Sequence, residues 1–313
     1  MLNQQKNKEN LAHKLYDVYC ESVGGHAYDG KSLLGSKEFF EDPAKEKQAN
    51  AWRAVAEHVL TPDEKQDTIK CKRYWPEPLY DIRGPVYFAG DIHAEFDRFN
   101  EELKRLERLN VITPGNLIIL GDVGIGFTDV DGVPTEILFE YFCEKLHHRG
   151  WTVYAVRGNH DRPSRWSGYL HTTVPGLPRY LKDNSVVNIK GLPFFVSGGA
   201  VSLDRKYRTV DVDWWESEFM YVPPEAMKDL EGKIYGVLSH TGPLPPNMIP
   251  YPIDPALETD LEREEIQRQR ILKMKPKKWF YGHFHCSSNF TLEDTQCSCL
   301  DIMEIQDFHE SAD

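Results

Sequence analysis

An α/β fold is predicted for most of this 313-residue chain on three observations. Beyond Pro85, short apolar runs alternate with stretches of helical period. Five of those runs end in residues able to bind metal: Gly90-Asp91-Ile92-His93, Gly121-Asp122, Gly158-Asn159-His160-Asp161, Ser239-His240 and Gly282-His283-Phe284-His285. The length itself allows one large domain or two smaller ones with a sizeable core.

The first 80 residues read differently. Two helical stretches, "LAHKLYDVYCESV" and "KQANAWRAVAEHVL", flank a "GGHAYDGKSLLG" loop, and the second stops at Thr61-Pro62. The segment "CKRYWPEPLYDIRGP" reads as a linker whose Pro76, Pro78 and Pro85 hold an extended path. We therefore divide the chain into a helical N-terminal module, 1–80, and a larger domain, 81–313. In that domain "PVYFAGD" is a strand, and "DRFNEELKRLERL" a helix with Phe99, Leu103 and Leu106 on one face. Strand "NLIILGD", a helix near "TEILFEYFCEKLHHRG", and strands "WTVYAVRGN", "PFFVSGG" and "KIYGVLSH" follow. The charged "ETDLEREEIQRQRILK" is a helix with a solvated face, "KKWFYGH" a further strand, and "SSNFTLEDTQCSCLDI" a hairpin.

Composition narrows the function. With 37 Lys+Arg against 49 Asp+Glu the formal net charge is −12, which disfavours a broad grip on nucleic acid. "MLNQQKNKEN" lacks the apolar core of a signal peptide and no run is long enough to span a bilayer, so a cytoplasmic protein without membrane contact is expected. The six cysteines, Cys20, Cys71, Cys143, Cys286, Cys297 and Cys299, lack disulfide-scaffold spacing and read as reduced thiols. Cys297 and Cys299 have no second pair to make a zinc site and fit one face of a strand.

In open α/β sheets ligands gather beyond the carboxyl ends of strands, so the five polar ends can converge although far apart in sequence. Glycine before an acid or histidine permits a tight turn and leaves room for a ligand. His283 and His285 would share a face in an extended strand, or diverge toward two centres in a loop. His147 and His148 close a helix, where positive charge suits the dipole. Together with His13, His26, His58, His171 and His309, they are given no chemical role.

In order and spacing, "GDIH", "GD", "GNHD", "SH" and "GHFH" resemble the five signature motifs of the calcineurin-like metallophosphoesterase family, over roughly residues 85–303. The resemblance implies a four-layer sandwich of two mixed β-sheets flanked by helices, and a two-metal site. By matching position Asp91, His93 and His285 would bind one metal, Asn159, His240 and His283 the other, and Asp122 would bridge both. Two cations about 3.5–4 Å apart can bind a phosphate and lower the pKa of a shared water, which becomes the nucleophile. Ligands without thiolate suit two divalent ions, manganese first, with iron or zinc as alternatives. His160 would face the substrate and assist the leaving group, with Asp161 orienting its ring.

Departures from the pattern shape the substrate reading. Protein Ser/Thr phosphatases of the family continue the second motif with an acid and an arginine; here "GDVGIGF" has Ile125 and Gly126, and only Arg157 is similar to that branch. Ala94 replaces a frequent glycine. "VSGGAVSLDRKYRTVDVDWWESE" resembles a bacterial and phage subgroup, and "AWRAVAEHV" a helical module of phage-encoded proteins. In the former Arg205, Lys206 and Arg208 would bind substrate, while Trp214 and Trp215 either pack in the core or stack on a base. The expected activity is hydrolysis of a small phosphorylated substrate, a nucleotide or other phosphomonoester or diester. The alternatives are a phosphoprotein phosphatase, a nucleic-acid end-processing or binding protein docking through residues 1–80, and a noncatalytic metal scaffold. The sequence leaves the oligomeric state open.

Overall fold

The computed structural model describes residues 78–309 apart from 128, 131–132, 169–173 and 249–253. The helical module expected over 1–80 therefore lies almost wholly outside the described residues, as do His13, His26, His58, His171, Cys20 and Cys71. In chain order the elements are β1 (Asp81–Ile82), β2 (Val86–Ala89), α1 (Phe96–Arg108), β3 (Asn116–Ile119), β4 (Asp129–Val130), β5 (Val133–Pro134), α2 (Thr135–His147) and β6 (Thr152–Ala155). There follow α3 (Pro163–Gly168), β7 (Arg179–Tyr180), β8 (Ser185–Ile189), β9 (Leu192–Ser197), α4 (Pro224–Leu230), β10 (Gly236–Ser239) and α5 (Glu258–Leu272). The last strands are β11 (Lys278–Tyr281), β12 (Ser288–Leu292), β13 (Thr295–Cys299) and β14 (Ile305–Asp307).

Two mixed sheets form, ordered β1-β8-β9-β10-β11-β13-β12 and β14-β2-β3-β6-β7, with β4 and β5 as a separate ribbon. Their two-residue period sorts side chains into three cores. Val86 and Phe88 of β2 and Ile118 of β3 face Phe194, Val196, Leu238 and Phe280 of the other sheet. Tyr87, Ala89, Leu117 and Ile119 turn outward onto Phe99, Leu103, Phe139 and Phe142 of α1 and α2. Phe195, Val237, Trp279, Cys297 and Cys299 meet Leu230, Ile271 and Leu272 of α4 and α5. The result is helices, sheet, sheet, helices, as expected. Fully buried side chains such as Phe99 and Leu103 each stabilise this stack by about 1.5–3 kcal/mol. Cys143, Cys286, Cys297 and Cys299 are free thiols. Among the described residues no helix is long and apolar enough to cross a membrane.

Three features depart from the sequence reading. The described part of the expected linker, residues 78–85, joins the sheet: Leu79 N–H donates to Val186 O at 2.8 Å, Asn188 N–H to Tyr80 O at 2.8 Å, and β1 pairs parallel with β8. β8 itself, absent from the sequence reading, forms a hairpin with β9 through Lys190 and Gly191, both at positive φ, the geometry that two-residue hairpin loops require. β14 pairs antiparallel with β2 and becomes an edge strand of the second sheet.

Candidate metal centre

Register places the polar ends together. β2, β3 and β6 are parallel neighbours with Ala89, Ile119 and Ala155 in register, so Asp91, Asp122 and Asn159 leave one sheet at the same edge. β10 and β11 are likewise parallel and deliver His240 and His283 from the other sheet. All seven expected ligands are brought to one place.

On one side, Asp91, His93, Asp122 and His285 offer ligand atoms all within 4.8 Å of one another. His93 Nε2 and His285 Nε2 lie 3.0 Å apart, and His285 Nε2 lies 3.0 Å from Asp91 Oδ2. On the other side, His240 Nε2 is 2.9 Å from Asn159 Oδ1 and 3.1 Å from Asp122 Oδ1, and the His283 ring sits 5.0 Å from that of His240. Asp122 is common to both groups, since its Oδ2 is 3.9 Å from His93 Nδ1.

The donors fit divalent cations on three grounds. Asp91 Oδ2 is buried without a hydrogen bond of acceptable geometry, although His285 Nε2 is close by, so the two atoms aim at a shared point rather than at each other. Ligands roughly 2.0–2.2 Å from an ion stand about 3 Å apart, the spacing seen here. His240 Nδ1 donates to Leu120 O at 2.8 Å, which leaves Nε2 ringed by two oxygen acceptors, a place for a positive charge. Burial opposes a proton on His240, yet the Asp122 and Asp91 carboxylates push the ring up to about 10. Burial also opposes ionisation of Asp122, but the His240, His160 and His93 rings hold it well below the usual carboxylate range.

The backbone yields to this convergence. His93, Asp122, His283 and His285 all have φ between 45° and 66°, a region side chains normally avoid. Gly121, at φ +99°, could carry no Cβ, because one would lie 2.2 Å from His240 Nδ1. A Cβ on Gly282 would lie 2.1 Å from Asp91 Oδ1. Each glycine thus makes room for the ligand of a different motif.

Around this centre the other candidates separate. His160 N–H donates to Asp122 Oδ1 at 2.8 Å, and its ring Nε2 lies 2.6 Å from Arg208 Nη2. Asp161 was expected to orient that ring and does not. Its two oxygens take the backbone N–H groups of Val123, Gly124, Ile125 and Gly158, tying the second motif to the third. Burial and the Asp122 charge raise its carboxyl to about 6, against the pull of those hydrogen bonds. Of the basic trio only Arg208 reaches the centre; Arg205 pairs with Asp260 at 2.7 Å and covers the Trp214 ring, and Lys206 lies over the exposed Tyr207 ring. Trp214 and Trp215 are buried. Arg157 is a structural tie, donating to Asp183 and to the carbonyls of Glu218 and Phe219.

Three residues near the centre escaped the sequence reading. Phe127 lies 4.4 Å from the His160 ring, and Ser202 and Glu218 lie behind Asn159. Phe127 sits inside the quoted "GDVGIGF", and Ser202 and Glu218 inside the quoted "VSGGAVSLDRKYRTVDVDWWESE", where nothing local singles them out from their neighbours.

A calcineurin-like phosphoesterase family profile matches residues 84–287. No curated protein matches the chain. Similar solved structures include the GAP50 anchor in the inner membrane complex of Plasmodium, 12% identical, covering 70% of this chain and 72% of that one at a TM-score of 0.42. A phosphopantetheinyl hydrolase of Mycobacterium tuberculosis is 13% identical, with 70% and 90% covered and a TM-score of 0.37. An archaeal phosphodiesterase is 10% identical, with 72% and 99% covered and a TM-score of 0.33. Because the profile spans more than half of the chain and takes in every motif from Asp91 to His285, the chain belongs to the calcineurin-like phosphoesterase family and is a metal-dependent phosphoester hydrolase.

Proposed function

We propose that the chain hydrolyses a small phosphoester, a nucleotide or another phosphomonoester or diester, at a two-metal centre. Asp91, His93 and His285 hold one ion, Asn159, His240 and His283 the other, and Asp122 both. The observation that carries this reading is the position of Asp122 between two ligand groups, each with nitrogen or oxygen atoms near 3 Å apart. Manganese is the first choice for this carboxylate, imidazole and amide donor set, with iron and zinc behind it. Bound there, the ions supply Lewis acidity, neutralising phosphate oxygens and lowering the pKa of a water.

The remaining work belongs to side chains. The His160 N–H holds Asp122 in place through Oδ1. Arg208, its side chain buried, has Nε unpartnered, Nη1 on the Asp213 carbonyl and Nη2 against both His160 and Asp204, so phosphate oxygens would have to displace these partners to engage its planar fork. When phosphate draws Arg208 away, the His160 ring loses a charge that disfavours its protonation, and once it has taken up a proton at Nε2 it can pass that proton to the leaving oxygen. Phe127 and Trp215, with ring centroids 6.2 Å apart, wall this side of the site. The N-terminal module, 1–80, serves targeting or assembly rather than chemistry, and because Leu79 and Tyr80 bond to β8, a shortened chain that keeps them should still cleave an aryl phosphate. The main test is a screen of manganese-loaded enzyme against nucleotides, cyclic nucleotides, phosphopeptides and labelled oligonucleotides. Turnover confined to phosphopeptides or oligonucleotides would reject the small-substrate reading.

A further inference from the structure

Asn159 can serve a cation with only one end of its carboxamide, because Oδ1 has lone pairs and the NH2 end has none to give. Which end faces the centre is decided by what the other end touches. Asn159 Nδ2 lies 3.0 Å from Ser202 Oγ, and Ser202 Oγ donates to Glu218 Oε2 at 2.7 Å. A hydroxyl has one hydrogen. Once the carboxylate has taken it, Ser202 offers Asn159 only lone pairs, and the NH2 must turn toward them. Oδ1 is then directed at His240 Nε2, 2.9 Å away.

The relay is anchored at its far end. Glu218 Oε1 accepts the Ser202 N–H at 2.9 Å, so the acid cannot turn without losing two bonds. The Glu218 carbonyl accepts from Ala200 N–H at 3.1 Å and from Arg157 Nη1 at 3.0 Å. Glu218, Ser202 and Asn159 are 0%, 1% and 2% exposed, which leaves bulk water little chance to replace any member.

We propose that Glu218, acting through the Ser202 hydroxyl, is a positioning residue that fixes the polarity of the Asn159 carboxamide and thereby the cation affinity of the half-site built from Asn159, His240 and His283. This rests on the reading of Asn159 as a ligand. The experiment titrates manganese into chelator-treated full-length protein by calorimetry at pH 8, giving affinity and stoichiometry, with circular dichroism to verify folding. Glu218→Gln, which has one acceptor for two donors, and Ser202→Ala should each weaken one of the two sites about 10–100-fold and leave the other near parental. Ser202→Thr keeps the hydroxyl and should stay within about threefold of the parent. Asn159→Asp creates two carboxylates competing for one hydrogen and should bind weakly. Adding Glu218→Gln frees that hydrogen and should recover about tenfold or more, a reversal that a merely structural role would not give.

Parental manganese affinity in both Glu218→Gln and Ser202→Ala would overturn the relay, as would a double variant weaker than Asn159→Asp alone. If Glu218→Gln does not fold, equal affinities for Ser202→Ala and Ser202→Thr overturn it. Asn159→Ala separates the two levels. If it loses a site while the Ser202 and Glu218 variants keep theirs, only the relay fails; if it keeps both sites, the ligand reading fails with it.

Discussion

The Arg208 guanidinium closes on the His160 ring, with Nη2 2.6 Å from Nε2. A guanidinium only donates, so Nε2 presents its lone pair and the ring is neutral. Burial lowers the ring to about 4; Asp122 works against this, and the Arg208 charge adds to it. Arg208→Ala should therefore raise KM for the true substrate about 10–100-fold, the scale of a lost charged hydrogen bond, without changing metal content. His160→Asn should lose more activity on alkyl than on nitrophenyl phosphoesters, whose leaving group needs little help. An unchanged KM in the first variant, or equal losses in the second, would refute these roles.

Asp122 approaches the ring nitrogens of both ligand groups, His240 Nε2 at 3.1 Å and His93 Nδ1 at 3.9 Å. Asp122→Asn should lose most activity and at least one ion per chain by elemental analysis, because an amide cannot hold two charges. An active variant with two bound ions would show that the bridge lies elsewhere.

Arg205 offers the contrast to Arg208. Its partners are Asp260 and the Trp214 ring, and its side chain is 38% exposed. Arg205→Ala should leave KM unchanged and cost at most about 1–2 kcal/mol of stability, an exposed ion pair plus a cation–π contact, read by denaturant unfolding. A KM effect matching that of Arg208→Ala would return Arg205 to the site.

Glu218 should make stability depend on pH. Burial pushes its carboxyl from 4.5 up to about 7, against the Ser202 hydrogen bonds. Between those values the folded chain keeps a proton that the unfolded chain releases, so this contribution is complete below pH 4.5 and lost as pH rises through 7. Its slope is at most about 1.4 kcal/mol per pH unit. Thermal unfolding of chelator-treated Glu218→Gln should show a flatter profile over that range than the parent. An identical profile would exclude a buried titration at Glu218.

What the sequence made legible is what has a short period or a fixed order. Phe99 and Leu103 recur at helical spacing, and four of the five ligand-bearing runs stop at glycine with their ligands within three residues, Ser239-His240 being the exception. Asp161 misled because "NHD" places it beside His160, whereas the turn sends its carboxylate back to residues 123–125. Arg205 and Arg208 are three apart, chemically alike and each paired with an aspartate at 2.7 Å, and what sets Arg208 apart is its contact with the His160 ring, 48 residues away. β14 is three residues long and borrows its order from β2, so its own sequence carries little signal. Glu218 reaches Asn159 through Ser202, a connection no local pattern encodes.

The joining of His93 to His285 has a temporal side. These partners are 192 residues apart, and a ribosome extending a chain by about 5–20 residues per second needs roughly 10–40 seconds to supply the second after the first. During that interval the aspartates of the early strands exist without their late imidazoles, so cation capture is an event of the finished chain rather than of the emerging one. Nascent chains stalled before residue 282 should surrender manganese to a chelator that released, full-length protein withstands. Equal retention would mean that the early ligands suffice alone.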